Sequence, residues 1–547
     1  MRKYLSILSA LLMVVGVANA QNYTGLLANV DGLTVGDMAN YSQAQYQFGT
    51  ARSMAMGGAL SSLGADASTM ATNPAGLGMY RHSEFTVTPL ITGQRSVNSA
   101  TDYMDNTKTT FALGNVALVA TLSQSNASSG VLSVSFGIGY NRLVDLNYNT
   151  SFFQSSTGRE TSIGQFFANQ LNNSGVSLSQ VEGNSNPNWN SSNITTDIWG
   201  AILGYKAGLV DWNTDSNSWS PDWIGDNADV GHFTTIQSSG SVGEYDFSLG
   251  MNISNKLYIG ATFGILRLHQ EINYNYSEDY LYPQDPTSDY EMNYSHYNQT
   301  AIVEGTGINF KLGVIYRPIE PLRISFAVHT PTAFSIERQY QAAAAGSVYV
   351  NTSNPADGIN PDGSGNAYFD ATSPLLEDYG EYGWFYNTPA RILLGASYTI
   401  GNRALISIDY QRDWYNGMRM TSAPVGINTY DYENQAKEYF QASNTIRLGG
   451  EFRVTPSVAL RAGYGFTDSI ISSENITYSP ASPTVDRCDY FSAGVGFAVN
   501  ENVSIDLAYM RHTTYYSDFQ LFGINGGDIY SLNIVRNNFA LTTAFKF

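Results

Sequence analysis

The sequence predicts an all-β protein, a transmembrane antiparallel β-barrel of about fourteen strands with an N-terminal hatch, or plug, inside its lumen. Three observations lead there. Many segments alternate apolar and polar residues with period two, the connections between them alternate short and long, and no apolar run after the N-terminus is long enough for a spanning helix. Such a helix needs roughly 20 consecutive apolar residues. Without one, the membrane solution is a closed barrel, where every backbone group pairs between strands.

Residues 1–20 read as a signal peptide. Arg2 and Lys3 form a basic start, residues 4–17 are nearly all apolar, and Ala18-Asn19-Ala20 supplies the small-x-small pattern of a cleavage site before Gln21. No cysteine follows that site, so a lipid-modified N-terminus is not expected. The 27 basic and 46 acidic residues give a formal net charge of −19, and about −21 once Arg2 and Lys3 are removed. That balance excludes nucleic-acid binding as the main activity, because a groove that tracks phosphates must be basic. Gly at 51, Tyr at 38 and charged residues at only 13% favour a barrel over soluble domains. Cys488 is the only cysteine and can form neither an internal disulfide nor a thiolate metal cluster.

The region 21–82 is read as an extension and the hatch, and 83–547 as the barrel. Strands are expected at 83–94, 108–123, 130–150, 239–252, 256–276, 299–317, 322–336, 389–400, 403–416, 438–454, 458–471, 487–499, 503–517 and 532–547. The last is the clearest: Phe539, Leu541, Thr543, Phe545 and Phe547 fall on one face, and Asn538, Ala540, Thr542, Ala544 and Lys546 on the other. A terminal aromatic such as Phe547 is what the barrel-assembly machinery is expected to recognise. Six connections are short (123–130, 252–256, 317–322, 400–403, 454–458 and 499–503) and seven are long. Short periplasmic turns opposite long external loops are a habit of bacterial outer-membrane barrels. Of the long loops, 151–238 holds five of the seven tryptophans and a short helical pattern at 163–171, while 337–388 is rich in Gly, Pro, Asp and Asn. Loops of that length are read either as a self-packed lid or as a surface for capturing ligand.

Before the first strand lies FGTARSMAMGGALSSLGADASTMATNPAGLGMYRHSEF, which is small, rich in Gly and Ala, and too polar to face lipid. Asn73-Pro74 marks a turn, since proline fixes its own φ and disfavours a helical Asn73. The segments Arg52-Ser53-Met54-Ala55-Met56-Gly57-Gly58-Ala59, Ala65-Asp66-Ala67-Ser68 and Asn73-Pro74-Ala75-Gly76-Leu77 resemble the hatch of the FadL/TodX family of outer-membrane transporters. The motif match covers roughly residues 48–85. The resemblance implies a fourteen-stranded barrel that takes up long-chain fatty acids or other hydrophobic small molecules without covalent chemistry. It further implies hatch movement and sideways release beside an inward kink in the third strand. Asn73, Pro74, Ala75, Gly76 and Leu77 carry over as hatch elements, and Gly137 and Gly139 are candidates for the kink. This chain departs from the family in residues 22–47, which precede the match, and in having its longest loops second and fourth.

By alternation the lumen should carry Glu244, Asp246, Lys311, Arg323, His329, Arg391, Asp409, Arg447, Glu451, Arg461 and Asp506. Arg391, Arg461 and Arg323 are candidate partners for a cargo carboxylate; alternatively these charges pair across the wall or brace the hatch. Catalysis is not expected, because His82, His232, His269, His296, His329 and His512 are scattered and neither HExxH nor GxSxG occurs. Asp211-x-Asn213-x-Asp215 resembles a calcium loop, yet Ser216 stands where the turn glycine belongs. No cofactor is expected. The expected partners are hydrophobic small molecules, outer-membrane lipids and the assembly machinery, and the expected state is a monomer. The competing reading is a surface adhesion or binding barrel that works through its large external loops.

Overall fold

Period-two alternation closes into a ring of fourteen strands, each antiparallel to both neighbours, in the computed structural model. The structure describes residues 33–98, 106–123, 129–182, 198–281, 289–355, 359–373, 375–378, 383–401, 403–424, 428–472, 483–522 and 529–547, so the expected signal peptide lies outside the described residues. The ring runs β1 (Glu84–Asn98), β2 (Thr107–Ser123), β3 (Val131–Asp145), β4 (Asp229–Ile253), β5 (Leu257–Leu281), β6 (Tyr290–Ile319) and β7 (Leu322–His329). It continues through β8 (Arg391–Ile400), β9 (Ala404–Trp414), β10 (Ala442–Thr455), β11 (Val458–Thr467), β12 (Val485–Ala498), β13 (Val503–Tyr516) and β14 (Leu532–Lys546). β14 returns to β1, with Lys546 opposite Glu84 and Leu532 opposite Asn98, and this leaves no open edge in the ring. Among the described residues no helix is long and apolar enough to cross a membrane.

Each expected strand has a counterpart, and the faces are as the alternation requires. On β6, Ile308, Phe310, Leu312, Val314 and Tyr316 are exposed to the outside, while Asn309, Lys311 and Ile315 are buried within. On β14, Phe539, Leu541 and Phe545 point out and Asn538, Ala540, Thr542 and Ala544 point in. The outer surface is thus greasy and the inner one small or polar, which suits lipid on one side only.

Three expectations about extent need correction. The strand expected at 130–150 ends at Asp145, and its last residues belong to a separate strand, Tyr148–Thr157. β4, β5 and β6 are 25, 25 and 30 residues long, well beyond the expected segments. About 9–11 residues cross the hydrocarbon; the rest project outward as a sheet whose polar faces carry no lipid alternation. The expected strand 322–336 is two strands. Pro331 cannot donate to a ladder, so β7 stops at His329 and a separate strand, Ala333–Val350, climbs the upper part of β6. Much of the expected loop 337–388 is therefore sheet.

The loop 151–238 folds into a cap. Strand Tyr148–Thr157 pairs with the upper half of β4, and helices Ile163–Ser174 and Trp199–Lys206 pack over the opening. Phe152, Phe167, Leu171, Trp199, Ile202 and Trp219 form a dry core with Tyr276 of β5 and Tyr297 of β6. Glu278, fully buried beneath the cap, accepts from the Ile163 backbone N–H at 2.7 Å, from the Tyr276 hydroxyl at 2.5 Å and from the Tyr280 hydroxyl. A carboxylate at the first residue of that helix satisfies one of its unpaired amides. The Asp211–Asp215 pattern forms a hairpin tip, where Asn213 Oδ1 accepts from the amides of Asp215 and Ser216.

Candidate functional site

The lumen is filled in two tiers. The lower tier is the hatch, whose placement follows from glycine. Gly250, Gly260 and Gly313 lie opposite one another on β4, β5 and β6 and make a bare strip on the inner wall. Pro74–Met79 forms a tight turn that presses onto that strip. A Cβ on Gly313 would sit 1.9 Å from Asn73 Oδ1, one on Gly260 2.3 Å from the Pro74 carbonyl, and one on Gly250 2.5 Å from Leu77 Cβ. Only residues without side chains permit so close an approach. A second strip, Gly449 and Gly463 on β10 and β11, receives Met56-Gly57 in the same way.

Polar side chains then bolt the hatch to the wall. Asn73 Nδ2 donates to the Ser61 carbonyl at 2.8 Å, and Asn73 Oδ1 accepts from the Ala75 amide at 3.2 Å. Asp409 of β9 accepts from the Ser61 amide at 2.8 Å and from its hydroxyl at 2.7 Å. His329 of β7 lies 2.7 Å from the Thr72 carbonyl through Nε2 and 2.8 Å from the Tyr46 hydroxyl through Nδ1. Tyr490 of β12 donates to the Gly57 carbonyl at 2.9 Å.

The upper tier is the extension, which the sequence reading left without a place. Helix Val35–Tyr41 starts in a capping box, with Thr34 Oγ1 accepting from the Asp37 amide and Asp37 accepting from the Thr34 amide. Leu33, Val35, Met38, Ala39 and Tyr41 are buried among Leu143, Val144 and Leu146, Val242, Leu266, Leu268, Phe334, Trp384 and Tyr386. Three polar ties accompany this apolar packing: the Tyr41 hydroxyl donates to Gln270 Oε1 at 2.7 Å, Asn40 Nδ2 donates to the Pro483 carbonyl at 2.8 Å, and Asn40 Oδ1 accepts from the Val485 amide at 2.8 Å.

Beside that tier the wall changes. The β2–β3 ladder runs from Ser123/Ser133 to Asn115/Asn141 and ends there, although β2 continues to pair with β1. Asn141, Arg142, Leu143, Val144 and Asp145 are all buried, so alternation fails and the strand turns into the lumen. The Leu143 carbonyl accepts from the Gln45 amide at 3.0 Å, and Arg536 of β14 holds the Asp145 carbonyl at 3.2 Å. On its other side β3 shifts register against β4 between Arg142 and Val144. Below the turn a buried polar chain crosses the wall. Asn115 donates to Asn141, Asn141 to Asp246, and Lys311 pairs with Asp246 and Glu244.

Gly137 and Gly139 lie in regular ladders on both sides, a few residues short of the turn. A Cβ on either would fall within 2.6 Å of Met70, so these glycines make room for the hatch, and the bend sits at 142–145. The pairing of adjacent apolar Leu143-Val144 within an alternating strand is the signal that could have found it. Of the three candidate arginines, Arg391 donates to Asp413 at 2.6 Å and to the Ser42 carbonyl, and Arg461 lies between Glu451 and Asp506. Arg323 sits at the periplasmic end of β7, below the hatch, without an ion pair among the described residues.

A family model described as "Outer membrane protein transport protein (OMPP1/FadL/TodX)" matches residues 216–521. Among solved structures, a Pseudomonas aeruginosa FadL homologue is 12% identical over 91% of this chain and 98% of its own, with a TM-score of 0.51. The Pseudomonas putida toluene transporter TodX is 12% identical over 91% and 98%, with a TM-score of 0.45. The Ralstonia pickettii toluene transporter TbuX is 15% identical over the same shares, with a TM-score of 0.46. No curated protein matches the chain. Since the family model spans more than half of the sequence, the chain belongs to the FadL/TodX family of bacterial outer-membrane transport proteins, which are channels for hydrophobic compounds and not enzymes.

Proposed function

We propose that the protein takes up long-chain fatty acids or other hydrophobic small molecules passively and releases them sideways, through the wall where β3 leaves β2. The observation that carries this reading is the end of the ladder at Asn115/Asn141, directly beside the apolar upper lumen. An apolar cargo gains by passing between dry surfaces and then into hydrocarbon, and would lose by crossing water. The extension at 33–46 fills that apolar space, so cargo replaces it; apolar contacts are non-directional and suit such an exchange. The hatch turn Asn73, Pro74, Ala75, Gly76 and Leu77 closes the way to the periplasm below. Phe547 directly follows the final strand, where the assembly machinery would read it. The adhesion alternative is less well supported, because Trp199 and Trp219 are buried inside the cap and serve its packing.

The test is uptake of labelled oleate and labelled toluene by cells with and without the protein, and with residues 142–146 deleted. Uptake of at least one compound is expected, with loss on deletion while the barrel keeps its heat-modifiable mobility. Unchanged uptake by the deletion sinks the lateral route. Failure of the intact protein to carry either compound sinks the cargo class.

A further inference from the structure

The periplasmic mouth holds a concentration of positive charge that transport of an apolar molecule does not use. A cavity of about 390 Å³ is lined by six arginines. Arg52 comes from the hatch and Arg81 from its link to β1; Arg317 and Arg323 flank the β6–β7 turn, and Arg403 and Arg453 come from the ends of β9 and β10. They meet in a chain whose formal net charge is −19.

The carboxylates at hand do not balance them. Among the described residues Glu451 is the one acidic residue on the lining, and its closest partner is Arg461 at 2.8 Å; Arg52 and Arg453 share it at 3.6 and 3.8 Å. Arg317 pairs with Glu320 at 3.4 Å, but that carboxylate is 91% exposed and such a pair contributes little. Arg81, Arg323 and Arg403 make no ion pair among the described residues, and the enclosed Nε of Arg323 finds no acceptor there. Like charges gathered around one cavity repel unless an anion stands between them. A single carboxylate would answer one guanidinium, whereas a phosphate group offers several acceptor oxygens to planar forks on different elements. The volume falls within the range of small-molecule sites.

We propose that this basin is an oxyanion site for a phosphate-bearing ligand, supplied by a soluble phosphate compound or by the headgroup of an inner-leaflet phospholipid. The ligand touches Arg52 and Arg81 on the hatch side and Arg323 and Arg403 on the wall side, and so ties the seated hatch to the barrel. This is independent of what cargo passes above. The test uses the purified full chain in neutral detergent, titrated calorimetrically with pyrophosphate at low salt. In parallel, native mass spectrometry follows retention from an equimolar mixture of phosphatidylglycerol and phosphatidylcholine. Arg323→Gln is compared with Arg403→Gln, whose exposed side chain can be changed without disturbing the wall. Saturable pyrophosphate binding that weakens at least tenfold in either variant supports a soluble ligand. Selective retention of phosphatidylglycerol that both variants lose supports the headgroup. No binding by the unmodified protein in either arm, or equal binding by protein and variants, overturns the site.

Discussion

The two tiers inside the barrel are held by different forces. The hatch sits on glycine strips and is pinned by directional hydrogen bonds that involve Asp409 as acceptor, His329 and Tyr490. The extension above it is wrapped in leucine, valine, phenylalanine and tryptophan side chains, and its helix adds polar ties only at its last two residues, Asn40 to the Pro483 carbonyl and Val485 amide and Tyr41 to Gln270, among the described residues. Hydrogen bonds and close backbone contact specify one position; apolar packing specifies only that something apolar be there. The contrast teaches which tier a greasy molecule can replace. It can take over the extension's apolar contacts, with its few polar ties to be broken, whereas the hatch must be unbolted along its whole length.

Three substitutions test that contrast, and the largest effect belongs to the glycine strip. In Gly313→Leu the new Cβ meets Asn73 Oδ1, and overpacking of this kind costs about 3 kcal/mol or more. The barrel should assemble with its hatch unseated, and planar-bilayer recordings should show a larger conductance; a closed channel would mean that the strip does not position the hatch. Met38→Ala comes next. It empties part of the apolar sleeve at a cost of about 2–4 kcal/mol. In a Cys488→Ser background, a cysteine placed at Gln43 should then react faster with a membrane-impermeant maleimide, with conductance unchanged. Smallest is Asn73→Ala, which leaves the Ser61 carbonyl without its donor and costs about 1–3 kcal/mol. Uptake of labelled cargo should fall while assembly is intact; normal uptake would remove Asn73 from the gate.

The residues made the wall legible because every outward position obeys one local rule. Val328, Phe326 and Ile324 face lipid whatever their neighbours are, so period-two alternation marks β7 without knowledge of its partners. The same rule fails above the hydrocarbon, where β6 continues for many residues with no lipid to select its outer face. It also misled at 322–336, where a proline between two alternating runs carried more weight than the alternation. The hatch motif was visible as a run of small residues, yet its seat was not. Gly250, Gly260 and Gly313 look like any strand glycines until the register sets them side by side.

What the chain determines by itself is therefore a cylinder: the number of its strands, which side of each meets lipid, and the plug that precedes them. Those features depend on residues two apart or on one contiguous segment. Tertiary structure alone decided what the cylinder contains. The inward turn at Leu143-Val144, the burial of Met38 and the gathering of six arginines at one mouth all bring together residues from elements far apart in the sequence. Such contacts arise only when ring closure and register bring those strands into a shared space too narrow for any of them to ignore the others.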